Sequence, residues 1–263
     1  MKTSSTGMGL QRDLELLEVL ASATARGTAG SLGVTRVAEL AGREKSQVSR
    51  ALQALAREGL VERDADTRGY RVGWRLFALA AQTMESRLVA LAMPHLRAVV
   101  AKVQETTALC VLRGDQVLTV AGESAAHAFR GVGWEGVSVP VAATSAGRVL
   151  VSEWEEPAIR HLFPPQAIAR PGARSVITTT DELLAELSTI RSQGYATVDE
   201  EFEYGVVGCS APVRDPHGRI IAAVNIIAPK ARLGDRLDMA GRFVAGAASA
   251  LGDRLCAPEE PVQ

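Results

Sequence analysis

The sequence predicts an α+β protein with two parts: an N-terminal winged helix-turn-helix and, beyond a long helix, a mainly antiparallel sheet with flanking helices. Two short helical patterns separated by a glycine precede two strand-like runs. Apolar residues then recur at helical spacing over residues 74–106, and later strands come in pairs joined by turn-forming residues. A chain of 263 residues that is 47% hydrophobic and 22% charged is unlike disordered, collagenous or coiled-coil proteins.

The N-terminal part begins with a helical pattern from Leu10 onwards. A short helix follows, for which Thr35 is the predicted N-cap and which Gly42 ends. A second helix is predicted to start with Ser46 as its N-cap and to end at Gly59. Two helices joined by a tight turn that contains glycine form a helix-turn-helix unit.

Two strand-like runs, 60–63 and 70–72, are separated by turn residues and predict a wing after the second helix. A winged helix places the start of its second helix in the DNA major groove, where Gln can pair with adenine and Arg with guanine. Residues 1–75 carry 12 basic and 9 acidic side chains, a mildly basic balance that suits an anionic partner. The alternative is a solvated amphipathic helix pair. The candidate DNA contacts are Thr35, Lys45, Ser46, Gln47, Ser49, Arg50, Arg63, Arg68 and Arg71.

The helical stripe over 74–106 predicts a long helix, which Pro94 should kink or restart. Such a helix after a winged domain is a natural linker and dimer seam. For the half after Pro94, ordinary core packing is an equally good interpretation.

The C-terminal part alternates strand pairs with helices, which favours a sheet that is mainly antiparallel. Residues 113–116 and 215–218 are typical hairpin turns, and Gly194 should end a helix that Thr180 or Asp181 caps. The predicted strands are 108–112, 117–121, 137–142, 206–214 and 219–228, and the predicted helices are 144–154, 181–193 and 235–256.

Three stretches resemble the IclR family of bacterial transcription regulators. They are SQVSRALQALAREGLVER in the winged helix, PVAATSAGRVLVSEW at 140–154, and GYATVDEEFEYGVVGCSAPVRDPHGRIIAAVNIIAP at 194–229. The resemblance extends from about Leu10 to Leu255. It implies a winged helix-turn-helix DNA-binding domain at 1–73, a linker helix at 74–92 and a GAF-like effector-binding domain at 93–263. It also implies homodimers, with pairing into a dimer of dimers, on palindromic double-stranded DNA operators.

The resemblance also implies an effector pocket between the sheet and a helix that starts at an Ala-Thr motif. An exposed helix N-terminus, small residues and hydroxyl groups suit an anionic or polar ligand. The candidate ligand residues are Phe129, Trp134, Ala143, Thr144, Ser145, Ala146, Gly147, Val198, Val206, Gly208, Cys209, Asn225 and Ile227.

The sequence departs from relatives that bind very small polar acids. Where those relatives place an Asp, a Cys and two Ser, this chain has Val198, Gly208, Asn225 and Ile227. We therefore expect a larger effector with an apolar body and one polar end, with an aromatic acid or related compound as the expected class. Three alternatives stay open. The helix start could be an empty N-cap, Asn225 could be a satisfied core residue, and the aromatic pair in 129–134 could be a dimer contact or loop cover.

Other classes of site are not indicated. Cys110, Cys209 and Cys256 are far apart and no CxxC motif occurs, so we expect no disulfide framework, metal site or cofactor. The acidic run 199–201 has no histidine nearby in sequence, which argues against acid–base catalysis. The chain start has no signal-peptide pattern and the apolar runs are short for a membrane span, so we expect a cytoplasmic protein with no membrane contact.

The sequence thus predicts a ligand-responsive regulator of transcription, a repressor of a catabolic operon rather than an enzyme. Two other hypotheses remain: a small-molecule enzyme with a winged-helix appendage, and a DNA-binding module that senses no ligand.

Overall fold

The structure is a computed structural model, which describes residues 5–25, 30–80, 82, 84–125, 135–164 and 176–256. It divides into two compact units, residues 1–86 and 87–263. The first unit carries a helix-turn-helix and a two-stranded wing, and the second a six-stranded antiparallel sheet with helices, so the predicted α+β fold class is confirmed.

The first unit has a small core of its own. Leu16, Val37, Val48 and Leu52 are fully buried, and Tyr70 closes the core from the wing. Its elements are α1 (Ser5–Ala25), α2 (Val34–Leu40), α3 (Lys45–Arg57), β1 (Val61–Arg63), β2 (Tyr70–Val72) and α4 (Trp74–Ala80).

The predicted N-caps of the two short helices are wrong. Gly33 and Glu44, not Thr35 and Ser46, occupy the cap positions with extended backbone. Ser46 lies inside α3 and its Oγ donates to Glu44 Oε1 at 2.7 Å. Glutamate is a weak capping residue, and burial of Val48 and Leu52 along α3 is the stronger influence on where this helix starts.

The predicted long helix is divided. Residues 74–80 form α4, whereas α5 (Met84–Val103) runs through Pro94 without restarting there. Pro94 is exposed, while Ala92 and Leu96 on the buried side are fully inaccessible. This packing compensates for the backbone hydrogen bond that proline cannot make.

After α5, the elements of the second unit are β3 (Thr106–Arg113), β4 (Gln116–Glu123), β5 (Ser138–Pro140), α6 (Ser145–Leu150), α7 (Glu156–Leu162), α8 (Thr180–Gln193), β6 (Ala196–Asp199), β7 (Val206–Arg214), β8 (Ile220–Pro229), α9 (Lys230–Leu233) and α10 (Leu237–Cys256).

The six strands form one sheet in the order β5-β4-β3-β8-β7-β6, and all neighbouring strands are antiparallel. One face of the sheet packs against α5 and α10, and Val244, Ala248 and Leu251 of α10 are fully buried there. The opposite face packs against α6 and α8.

Helix α6 lies against the backbone that precedes it. Thr144 caps it by accepting from the Gly147 N–H at 3.2 Å, so the helix starts at the predicted place but ends at Leu150 rather than Trp154. A Cβ on Gly147 would lie 2.2 Å from the Val141 carbonyl oxygen, so this close approach requires glycine.

A buried ion pair fixes the other side of α6. Arg148 is 1% exposed, and its Nη1 donates to Glu201 Oε1 at 3.1 Å while Nη2 donates to Oε2 at 2.5 Å. Arg148 Nε also donates to the Ala142 carbonyl at 2.9 Å, and the Val176 N–H reaches Glu201 Oε2 at 3.3 Å. The pair thereby joins α6 to the segment that follows β6.

We expect Glu201→Ala to lower the free energy of unfolding by about 3–5 kcal/mol, because Arg148 would stay buried with only the more distant carboxylate of Glu186, 3.9 Å away. Urea denaturation measures this, with the exposed Glu203→Ala as the control. A Glu201→Ala loss no larger than that of the control would contradict the assigned role of the pair.

Gly147→Ala should destabilise the protein by about 1–3 kcal/mol through overpacking against Val141, although alanine is the better helix former. The matched control is Gly246→Ala in α10, where a Cβ would meet nothing within 4 Å. That variant should stabilise by up to about 1 kcal/mol. Thermal unfolding of both variants should give shifts of opposite sign, and shifts of equal sign would refute the close approach.

Candidate functional site

The exposed side of α3 carries the predicted recognition residues. Lys45, Ser46, Gln47 and Arg50 are exposed and Ser49 is half-buried, whereas Val48 points into the core. Thr35 is exposed on α2. The first turns of α3 therefore present an amide, hydroxyls and two cations on one surface, the donor set that reads base edges and phosphates.

The three wing arginines differ in their surroundings. Arg71 donates through Nε to Glu62 Oε2 at 3.0 Å, and this bond lowers the pKa of the Glu62 carboxyl. The Arg63 guanidinium lies 5.7 Å from the centre of the Tyr70 ring, a cation–π arrangement. Arg68 is exposed in the turn between the strands, with a φ of 56°. Neighbours thus hold the guanidinium groups of Arg63 and Arg71 in place.

A cavity of about 60 Å³ lies between the N-terminus of α6 and the sheet, more space than a single water molecule needs. Its wall is mostly apolar, with five polar side chains among the described residues and no charged one. The lining residues are Cys110, Val117, Thr119, Val139, Thr144, Ser145, Ala146, Val198, Phe202, Val206, Val207, Gly208, Asn225 and Ile227.

The structure brings eight predicted ligand residues together around this cavity. They are Thr144, Ser145, Ala146, Val198, Val206, Gly208, Asn225 and Ile227. Ala143 and Gly147 are buried beside it without lining it. Cys209 packs in the core with α5 and α10, because neighbouring strand residues point to opposite sheet faces. Phe129 and Trp134 lie outside the described residues.

The part of the wall that comes from β3, β4 and β5 was not predicted from the sequence. Cys110 and Thr119 are directly paired across the β3–β4 hairpin, and Val117 and Val139 are paired across β4–β5. The strand alternation around the predicted turn could have placed Cys110 and Thr119 on one face. Phe202 follows the acidic run 199–201 outside any helix or strand, so no periodic pattern of apolar residues could have indicated its place in the wall.

Three polar side chains form a buried network at one end of the cavity. Ser210 Oγ donates to Asn225 Oδ1 at 2.9 Å, and the Ser145 and Ser210 hydroxyls are 2.8 Å apart. Asn225 is directly opposite Ser210 in the β7–β8 ladder. Asn225 is therefore satisfied by side chains while it lines the cavity.

Cys110 lies next to this network and 3.7 Å from Thr119 Oγ1. Burial raises the pKa of the Cys110 thiol to about 11, with opposing hydrogen bonds from Thr119 and Asn225. The thiol is therefore protonated at neutral pH and is a poor nucleophile. Burial likewise raises the pKa of Cys209 to about 12.

Within the described ranges, no three His, Cys, Asp or Glu side chains are grouped so that they could hold a metal ion. The helices of the described residues include none that is long and apolar enough to cross a membrane.

Comparison with known proteins places both units in one family. The model of the IclR helix-turn-helix domain matches residues 9–65, and that of the bacterial transcriptional regulator IclR C-terminal domain matches residues 80–251. The HTH-type transcriptional regulator KdgR of Dickeya chrysanthemi is 27% identical over 221 residues, which cover 84% of this chain and 72% of KdgR. The transcriptional repressor IclR of Escherichia coli K12 is 26% identical over 243 residues, 91% of this chain and 86% of that protein.

Solved structures agree on the fold. An IclR homologue of Microbacterium hydrocarbonoxydans, complexed with 4-hydroxybenzoate, has a TM-score of 0.77 at 24% identity and covers 94% of this chain and 98% of its own. The IclR protein of Thermotoga maritima has a TM-score of 0.72 at 21% identity, with coverages of 94% and 98%. Because the two family models match 9–65 and 80–251, the chain belongs to the IclR family of transcriptional regulators, which join a DNA-binding helix-turn-helix domain to an effector-binding domain.

Proposed function

We propose that this regulator is a repressor of a catabolic operon, and that a small organic effector with an apolar body and a polar end controls its DNA affinity. The observation that carries the proposal is the apolar cavity with a polar network at one end. An aromatic acid or related compound is the expected class, supported by the M. hydrocarbonoxydans homologue that is complexed with 4-hydroxybenzoate. Repression is supported by a relative that is itself a transcriptional repressor.

The DNA contact is assigned to the first turns of α3 in the major groove. Gln47 and Arg50 are the candidate base readers, while Lys45, Ser46 and Ser49 are placed to reach phosphates or base edges. On the wing, Arg63, Arg68 and Arg71 are candidates for contacts to DNA phosphates or the minor groove. Thr35 on α2 is a further candidate DNA contact. This division follows the chemistry of the side chains, since Gln can pair with adenine and Arg with guanine.

We also propose a homodimer on a palindromic operator, with pairing into a dimer of dimers. The exposed side chains of α4 support a dimer seam: Trp74 is 68% exposed and Phe77 is 77% exposed, although both are large and apolar. A two-fold dimer presents two recognition helices to two half-sites.

The effector would act by shifting the population between two arrangements of the regulator. Such a shift requires that the ligand binds one arrangement more tightly, with a coupling of typically ~1–3 kcal/mol. The cavity wall includes Val207 of β7, which also belongs to the core that packs α5, so a ligand there contacts that core at one residue.

Arg50→Ala should weaken binding to the DNA upstream of its own gene by ~1–3 kcal/mol, about 5- to 150-fold, because a base or phosphate contact is lost. The matched control is Arg57→Ala, which removes the same charge at the far end of α3. Fluorescence anisotropy at fixed salt measures both affinities. Equal effects of the two substitutions would argue against the recognition role of the first turns.

Ile227→Trp should fill the cavity and abolish the response to effector while leaving DNA affinity within about two-fold, since the side chain lines the cavity and lies in the second unit. The control is Ile221→Trp on the same strand, where the residue is 37% exposed and is not part of the lining. A thermal-shift screen with aromatic acids, including 4-hydroxybenzoate, followed by DNA-binding assays, tests the proposal. DNA affinity that no ligand in the screen changes would count against an aromatic effector.

A further inference from the structure

We infer that Arg75 is a positioning residue for operator binding, which ties the first turn of α4 to the C-terminal end of α3 and thereby fixes the half-site spacing that the dimer accepts. This inference rests on the proposed function, because it takes α3 as the helix that reads DNA and α4 as the dimer seam. It adds a residue that acts through α3 rather than on a base.

Helix α4 is not held in place by a hydrophobic core. None of its seven residues, all of which the structure describes, is buried, and the core of the first unit includes no residue of α4. A helix of this length is also too short to be stable through its own hydrogen bonds. The direction of α4 relative to α3 therefore depends on the contacts at its start.

Arg75 joins the two helices with one side chain. Its Nη1 donates to the Glu58 carbonyl at 2.6 Å and to Glu58 Oε2 at 3.0 Å. Glu58 is the C-cap of α3, and the end of a helix leaves carbonyl groups without a partner inside the helix. A cation is favoured at this end of the helix dipole, and a charge-assisted bond to the carbonyl is stronger than a neutral one. The guanidinium thus caps α3 while it holds α4 beside it.

The backbone at the start of α4 is joined to the same turn. The Gly73 N–H donates to the Leu60 carbonyl at 2.9 Å, and a Cβ on Gly73 would lie 2.3 Å from the Gly59 carbonyl oxygen. The Trp74 N–H donates to Glu62 Oε1 at 3.3 Å, which satisfies one free N–H of the first turn. Backbone and side chain therefore connect residues 58–62 to residues 73–75, which together form the α3–α4 joint.

In a two-fold dimer that associates through α4, this joint sets the distance between the two α3 helices. Half-sites on DNA lie about 34–36 Å apart, or a multiple of that distance, and a dimer reads both only when its recognition helices match their spacing. A rigid joint restricts tight binding to one spacing. A flexible joint reaches other spacings but binds the preferred operator more weakly, because it must be ordered on binding.

The test uses the full-length protein and the DNA upstream of its own gene, in which footprinting locates the half-sites. A series of duplexes carries the half-sites at their natural spacing or one to three base pairs closer or farther apart, and one duplex carries a single half-site. Fluorescence anisotropy at fixed salt measures each affinity. We expect the wild type to lose at least about ten-fold in affinity at two base pairs from the natural spacing, since this rotates one half-site by about 70° around the DNA axis.

Arg75→Ala should bind the natural operator about three- to ten-fold more weakly than the wild type and should lose no more than about three-fold on respacing. The matched control is Arg57→Ala, which removes the same charge from the last turn of α3 and should keep the wild-type spacing preference. Both variants should bind the single half-site equally, within about two-fold. Gly73→Ala alters the same joint through the backbone, since it cannot keep the close approach to Gly59, and should shift or broaden the preferred spacing.

The outcomes separate the inference from the proposed function. A wild-type spacing preference that Arg75→Ala or Gly73→Ala retains would overturn the inference and leave the proposed dimer intact. A loss for Arg75→Ala that is as large on the single half-site as on the natural operator would indicate a direct DNA contact and would also overturn it. A wild-type protein that is indifferent to spacing would count against the two-fold dimer itself, and the inference would fail with it.

Discussion

The buried Arg148–Glu201 pair is the constraint on which the effector domain depends. It holds α6 against the segment after β6, and both elements line the cavity, through Ser145 and Phe202 respectively. Two charges removed from water need further hydrogen-bond partners, and here the Ala142 carbonyl, the Val176 N–H and the Glu186 carboxylate, 3.9 Å from Arg148, supply them. The pair therefore does more to fix a geometry than to add net stability.

Much of the fold could be predicted because its strongest signals are local. The continuous apolar run gave β8 to within a residue at each end, β7 was predicted with its observed bounds, and the glycine turns marked the ends of α2 and α3. Strand β6 was missed because four residues are too few to show an alternating pattern. The caps at Gly33 and Glu44 were missed because packing outweighed local preference.

The lining residues of the cavity could be predicted where they lie in one recognisable stretch of sequence. They could not be predicted where strand pairing brings distant residues to the cavity. The α6 start and the β7–β8 wall were expected from 143–147 and 206–227, whereas Cys110 and Val139 reach the cavity only through strand pairing. Ser210 was not expected, although it lies directly opposite Asn225 and its hydroxyl bonds the Asn225 amide oxygen. Which residues lie opposite each other depends on the register of two paired strands, and the pattern of either strand alone does not reveal that register.

The alternation along β7 and β8 has an evolutionary consequence. Gly208, Asn225 and Ile227 line the cavity, while their neighbours Cys209 and Ile226 pack into the core on the other sheet face. Mutations at Gly208, Asn225 and Ile227 can therefore alter ligand preference without replacing the residues that pack against α5 and α10. Because these positions are separate from the core on the other sheet face, a regulator of this fold can acquire a new effector by a few substitutions without first losing that core.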